Sequence, residues 1–137
     1  MGVMDVIEEV RPSLVPAGSS GDDTLARPVE YAPDTLYAWP LTEAFDPDGD
    51  GSLDLDRFTF RMAWGVPADG EVAALERDRD TSLAIKAFLD ATVAWIASHR
   101  TGSAYENLQI TAVDHQALIT HSIRGVLVDV TGYELLA

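Results

Sequence analysis

Phe58-Thr59-Phe60-Arg61-Met62-Ala63-Trp64-Gly65-Val66 sets Phe58, Phe60, Met62, Trp64 and Val66 at every second position. Side chains two apart share one face of an extended chain, so this stretch predicts a β-strand with one strongly apolar face. Such a face needs a second layer to cover it. The candidate is the run from Asp80 to about Ser98, where Ala84, Ile85, Phe88, Ala91, Thr92 and Trp95 recur at helical spacing. Asp80 reads as the N-cap of that helix and Gly102 as the mark of its end. The spacing predicts that Phe58, Phe60, Trp64, Phe88, Trp95 and Ile110 meet in one core.

Immediately upstream stands Asp46-Pro47-Asp48-Gly49-Asp50-Gly51-Ser52-Leu53-Asp54-Leu55-Asp56. In an EF-hand loop the ligands fall at positions 1, 3, 5, 7, 9 and 12, with glycine at 6 and a bidentate Glu at 12. Asp46, Asp48, Asp50, Gly51, Ser52 and Asp54 fit in order, but Arg57 stands where the clamp belongs and Asp56 comes one residue early. The following residues alternate as a strand, whereas an EF-hand leaves its loop through a helix. The run therefore reads as an acidic loop entering a sheet, and no metal-ligand set is assigned. The alternative function is a small calcium-binding module using Asp46 to Asp56.

Between Pro28 and Leu41 the β-favouring residues Val29, Tyr31, Thr35, Leu36, Tyr37 and Trp39 are interrupted by Pro28, Pro33 and Pro40, which predicts an edge or broken strand paired to the first. Pro67-Ala68-Asp69-Gly70 reads as a turn. Downstream, Leu108, Ile110 and Ala112 alternate with Gln109, Thr111 and Val113, and a last apolar run extends from Leu118 to Val130, with Gly125 placed for a bulge or bend. At the other end of the chain Val3, Val6, Ile7, Val10 and Leu14 share one face of a short amphipathic helix, whose end Pro12 weakens. Pro16 to Asp23 reads as a flexible polar loop. The order of helix, two strands, helix, two strands predicts one α+β domain over residues 1–137. Its mainly antiparallel sheet carries a long helix on one face, with a short N-terminal helix besides.

Composition excludes several classes of function. Cysteine is absent, so neither disulfides nor thiolate metal sites exist. No apolar run reaches the length of a membrane span, and Met1 to Glu9 lacks the basic region and apolar core of a signal peptide. Nine basic against twenty-three acidic side chains give a formal charge of -14, which opposes any surface that grips nucleic-acid phosphates. The same charge keeps a small protein soluble, and if many copies surrounded a passage used by DNA it would keep the polymer from sticking to the walls.

No catalytic arrangement emerges. His99, His115 and His121 have no neighbours that resemble an acid–base pair, and His121 alternates with Ile119 and Ile123 as a structural histidine would. None of the serines sits in a Gly-x-Ser-x-Gly turn, and Gly49-Asp50-Gly51 is acidic where a phosphate cradle is neutral or basic. The chain is not expected to be an enzyme or to carry a cofactor.

Across most of its length the chain resembles the tail terminator proteins of long-tailed, non-contractile bacteriophages, a minor tail protein family. The likeness lies in the helix opening at Val3, the region around Tyr37-Ala38-Trp39-Pro40, the strand Phe60-Arg61-Met62-Ala63-Trp64-Gly65-Val66-Pro67, and Arg77-Asp78-Arg79-Asp80-Thr81-Ser82-Leu83-Ala84 leading into the second helix. The resemblance implies a homohexameric ring that caps the tail tube, ends its polymerisation and joins it to the head-side connector. The implied partners are further copies of the chain, the tail tube protein and the head–tail connector protein, with DNA passing through the lumen unbound and no membrane involved. The implied location is the head-proximal end of the virion tail, after assembly in the host cytoplasm. Copies this acidic repel one another, so ring formation is expected to strengthen as salt rises or to wait for the tube end as a template.

Overall fold

The computed structural model describes residues 3–22, 24–47, 54–67, 74–99, 105–115 and 123–135, with side chains placed for most of them. The elements follow as α1 (Val3–Leu14), β1 (Ser20–Gly21), β2 (Thr35–Pro47), β3 (Asp54–Pro67), α2 (Ala74–Ser98), β4 (Tyr105–Asp114) and β5 (Ile123–Leu135). The strands form one sheet in the order β1-β2-β3-β5-β4. Every pairing is antiparallel except β1 with β2, so the α+β fold with a mainly antiparallel sheet is as the sequence predicts.

The alternation of β3 places Phe58, Phe60, Met62 and Trp64 on the face that both helices cover, all buried. The neighbouring β5 runs in unbroken register from Leu55 opposite Leu135 to Pro67 opposite Ile123, and adds Val126, Val128 and Val130 to the same face. From above, α1 contributes Val3, Val6, Ile7, Val10 and Leu14, while α2 contributes Ile85, Phe88, Trp95 and Ile96. Phe58, Phe60, Trp64, Phe88 and Trp95 therefore share one core as expected, and Ile110 packs at its margin, partly buried. Trp64 stacks on Phe88 with ring centroids 5.6 Å apart, joining the later part of β3 to the middle of α2.

Polar side chains tie the layers at their ends. Glu9 of α1 accepts a 2.6 Å hydrogen bond from the Tyr105 hydroxyl at the start of β4, and its other oxygen lies 3.2 Å from His99 Nε2 just past α2. The His99 ring stacks on Trp95 and its Nδ1 lies 2.8 Å from the Trp95 carbonyl, so this histidine finishes a helix and meets another one. The backbone N–H of Val3, one of the donors that a helix start leaves open, is 3.3 Å from Glu43 Oε1 on β2.

Four expectations need correction. The second helix begins at Ala74, so Asp80 lies inside it and is not its cap. Ala74-Leu75-Glu76-Arg77 are all good helix formers with no breaker among them, and an internal aspartate costs little. Second, the polar segment after α1 contains β1, held by Ser20 N–H to the Asp34 carbonyl at 3.0 Å and Asp22 N–H to the Leu36 carbonyl at 2.9 Å. Third, the interrupted strand starts only after Pro33 and then continues to Pro47, because the irregularity at Pro40 is absorbed as a register shift before Thr42. Last, Gly125 makes no bulge. It pairs with Gly65 in regular register, and the shifts occur instead in β4, between Glu106 and Gln109 and between Ile110 and Ala112. The predicted turn at Ala68 to Gly70, the helix stop at Gly102, and the run Leu118 to Ser122 with His121 lie outside the described residues.

Gly65 is required by packing. A Cβ there would come within 2.4 Å of Ile123 Cγ2 and 2.9 Å of the Arg124 carbonyl oxygen. Its own carbonyl accepts from Asp34 N–H at 2.8 Å, with Asp34 in the left-handed region at φ 53°.

Candidate functional site

The acidic run is the connection of the β2–β3 hairpin. The last pairs before it are Asp46 with Leu55 and Pro47 with Asp54, so the chain enters and leaves as paired strand rather than through helices. This agrees with a loop entering a sheet. The carboxylates of the calcium-binding alternative, Asp46, Asp48, Asp50 and Asp54, have side chains outside those described, as does Asp56. Among the described residues no three His, Asp or Glu side chains gather as a metal site.

The acidic connection and the opposite end of the sheet lie far apart. Arg124 lies one residue into β5, opposite Val66, whereas the far end of β5 at Leu135 lies beside the hairpin strands. Eleven residue steps separate them, roughly 36 Å at ~3.3 Å per residue. At the Arg124 end, Lys86 and Asp90 of α2, Arg124 and His115, just past β4, line a cavity of about 490 Å³ with Ile85 buried beneath them. Arg124 Nη2 lies 3.3 Å from the Ser82 hydroxyl. Lys86 Nζ donates to Asp90 at 2.8 Å, an exposed i,i+4 pair, and that hydrogen bond raises the lysine above its ordinary value.

Between these ends runs the outer face of α2. Leu83 and Val93 are exposed large apolar groups there, and Ala87, Ala91, Ala94 and Ala97 are exposed beside them. Lys86 and Asp90 neutralise each other, so among the described residues this face carries almost no net charge in a chain of -14. Next to it, Ala84, Ala87, Phe88 and Ala91 together with Leu14, Pro16 and Trp64 line an apolar groove of about 420 Å³.

The edges of the sheet are less available than proline-interrupted strands suggest. On the outer edge of β2, the Leu36 carbonyl is taken by Asp22 N–H and the Ala38 carbonyl by Arg11 Nη2 at 2.9 Å. Arg11 is itself buried, and Nη2 also donates to the Thr24 carbonyl at 2.6 Å. Its aliphatic stem lies against Gly21. The opposite edge, β4, is bent by its two register shifts and by Asn107 at φ 54°. Blocked carbonyls and bulges are both devices that prevent edge-to-edge strand addition.

The sheet face away from the helices carries a ladder of polar pairs that the sequence analysis did not anticipate. Thr59 and Thr131 share a hydroxyl hydrogen bond of 2.9 Å, and Arg61 forms a two-pronged bridge to Asp129 at 2.7 and 3.0 Å. That bond raises Arg61 above its ordinary value, against the opposing effect of burial. At one side Tyr37, Trp39, Ala63 and Ile123 form a second buried cluster, covered by Tyr31 from the segment before β2. Tyr31 meets Tyr37 edge to face, and the Tyr37 hydroxyl accepts from Ala32 N–H at 2.8 Å. The signal was present in the strict alternation of Tyr37 and Trp39 with Leu36 and Ala38.

Among the described residues no helix is long and apolar enough to cross a membrane. No protein-family model matches the chain, and no curated protein sequence matches it.

Proposed function

We propose that this chain is a structural protein of a phage tail, of the tail-terminator kind, which forms a ring on the tail tube, ends its growth and joins it to the head-side connector. The observation that carries the reading is the distribution of charge over the fold. The acidic run connects β2 and β3 at one end of the sheet, and the described part of the exposed face of α2 is nearly neutral. A closed ring of acidic subunits needs both features: a surface where copies approach without repulsion, and a negative surface left to face the polymer that passes. The blunted sheet edges further favour closed contacts over open-ended strand addition.

In this role the acidic hairpin faces the lumen or the rim beside it, and DNA passes without being held. Homohexamers, tail tube protein and head–tail connector protein are the partners. No reacting group is called for. The test is a deletion of the gene in its phage, followed by electron microscopy of the particles. The expected result is tubes of uncontrolled length without heads, restored to uniform headed tails by the chain supplied in trans. Normal tails in the deletion would overturn the proposal.

A further inference from the structure

The apolar groove beside α2 is lined by one charged residue, Asp34. Its backbone is held on both sides: the N–H donates to the Gly65 carbonyl at 2.8 Å, and the carbonyl accepts from Ser20 N–H at 3.0 Å. The left-handed φ of 53° is one that aspartate tolerates better than most side chains, at some cost in free energy. Asp34 is exposed, and among the described residues its carboxylate has no partner. Beneath it the groove is floored by Trp64 and Phe88, both buried, and the indole N–H is already taken by the Ser19 hydroxyl at 3.1 Å. The groove thus offers apolar surface and one free negative charge.

Arg27-Pro28-Val29, in the connection between β1 and β2, has the opposite character. Val29 is 94% exposed, the most exposed of the large apolar side chains described. Arg27 is exposed as well, and unlike Arg11 and Arg61 it has no partner among the described residues. Pro28 fixes the backbone between them, so little freedom is lost when the pair docks. We propose that Val29 of one copy enters the groove of a second copy, with Arg27 paired to Asp34 there. The proposal deepens the ring reading above, on which it rests, by naming a contact between neighbouring copies.

Three observations point to that occupant. Each surface holds what the other lacks: an unpaired cation beside an uncovered apolar side chain, and an unpaired carboxylate beside an apolar groove. The groove of about 420 Å³ is of a size that receives small apolar groups. It borders Trp64 and Val66 late in β3, whereas the acidic connection precedes Asp54 at the start of that strand, so the contact leaves the connection free. Glu30, next in the chain, stays outside, since the lining holds no cation for it. Segment and groove are different surfaces. Each copy gives one and receives the other, and the contact repeats around a ring where the rotation closes.

The chain has no cysteine, so a disulfide can report the contact without background from native thiols. A Val29→Cys chain is mixed with an Ala87→Cys or an Ala91→Cys chain, all three changes being at exposed positions, and the mixture is oxidised. This is done at a concentration where the native chain sediments as an oligomer, and again on purified tail tubes. A disulfide needs Cα atoms within about 7 Å of each other. The expected product is a cross-linked pair of twice 14.8 kDa, with no comparable product from Val29→Cys mixed with Val93→Cys, whose cysteine lies on α2 outside the groove. Sedimentation of Val29→Ser should show the concentration needed for assembly raised by roughly 10-fold or more, as for withholding one valine from burial. Its thermal melt should match that of the native chain, because Val29 is almost wholly exposed within its own subunit. Arg27→Ala and Asp34→Asn should each raise that concentration by less, and their combined effect should fall short of the sum. If the native chain forms oligomers but neither groove cysteine joins Val29→Cys, or Val29→Ser assembles as the native chain does, the contact is wrong while the ring reading stands. If the native chain forms no oligomer in either setting, the ring reading falls and the contact falls with it.

Discussion

Phe60 and Arg61 are adjacent in the chain and do opposite things. Phe60 is fully buried between the sheet and its helices, in a layer made almost wholly of apolar side chains. Arg61 points to the uncovered face, where it is about one-third exposed and held by Asp129. The covered face is stabilised by area removed from water and by close packing. The uncovered face is held by paired polar groups across β3 and β5, with an aromatic cluster at one side only. Stability is thus concentrated on one side of the sheet, and the other side and the ends are free to carry charge.

The largest expected effect is on the covered face. Phe60→Ala should lower the unfolding free energy by about 3–5 kcal/mol, the usual cost of emptying a large buried site, read by urea titration. A loss below ~1 kcal/mol would erase the distinction between the faces. Gly65→Ala comes next, because the added methyl would overlap Ile123 Cγ2 and the Arg124 carbonyl. Backbone atoms cannot move aside cheaply, so a loss of about 1–3 kcal/mol is expected from the same titration. A neutral result would mean that β3 and β5 separate there more freely than their close pairing implies.

Arg61→Ala should cost at most about 1 kcal/mol, since the pair with Asp129 is partly exposed and screened by water. Asp129 raises the arginine, so its contribution is fully present below the ordinary arginine range and is lost only as pH rises through the raised value. Stability measured from neutral to mildly alkaline pH should not change on this account. A cost matching that of Phe60→Ala would move the core to the wrong face. The smallest effect belongs to the hairpin. Because Arg57 replaces the bidentate clamp, chelator should leave the melting temperature unchanged. A large drop reversed by calcium would make the loop a structural metal site.

The covered face was legible because its period is local. Phe58 to Val66 alternates without exception, and Ile85, Phe88, Trp95 and Val3, Val6, Ile7, Val10 repeat at helical spacing. Signals that depend on what lies far along the chain were not legible. Gly125 looks like a bulge in isolation, yet its partner is Gly65, sixty residues earlier, and two glycines opposite each other keep the register regular. The bulges of β4 leave little signature, since Asn107, left-handed within the first shift, is the one residue there that favours such a backbone and nothing marks the second. The same holds at the surfaces. The acidic run is visible to any reader of the sequence, whereas Lys86, His115 and Arg124 meet only because α2, the end of β4 and the start of β5 converge.

The most direct test of the account is the mass of what the purified chain forms at the ends of purified tail tubes, measured by native mass spectrometry of the released caps. The prediction is a closed oligomer near six times the 14.8 kDa subunit, bound at tube ends and absent from tube walls. A chain that stays at 14.8 kDa in the presence of tubes, or that decorates their walls in no fixed number, would contradict it.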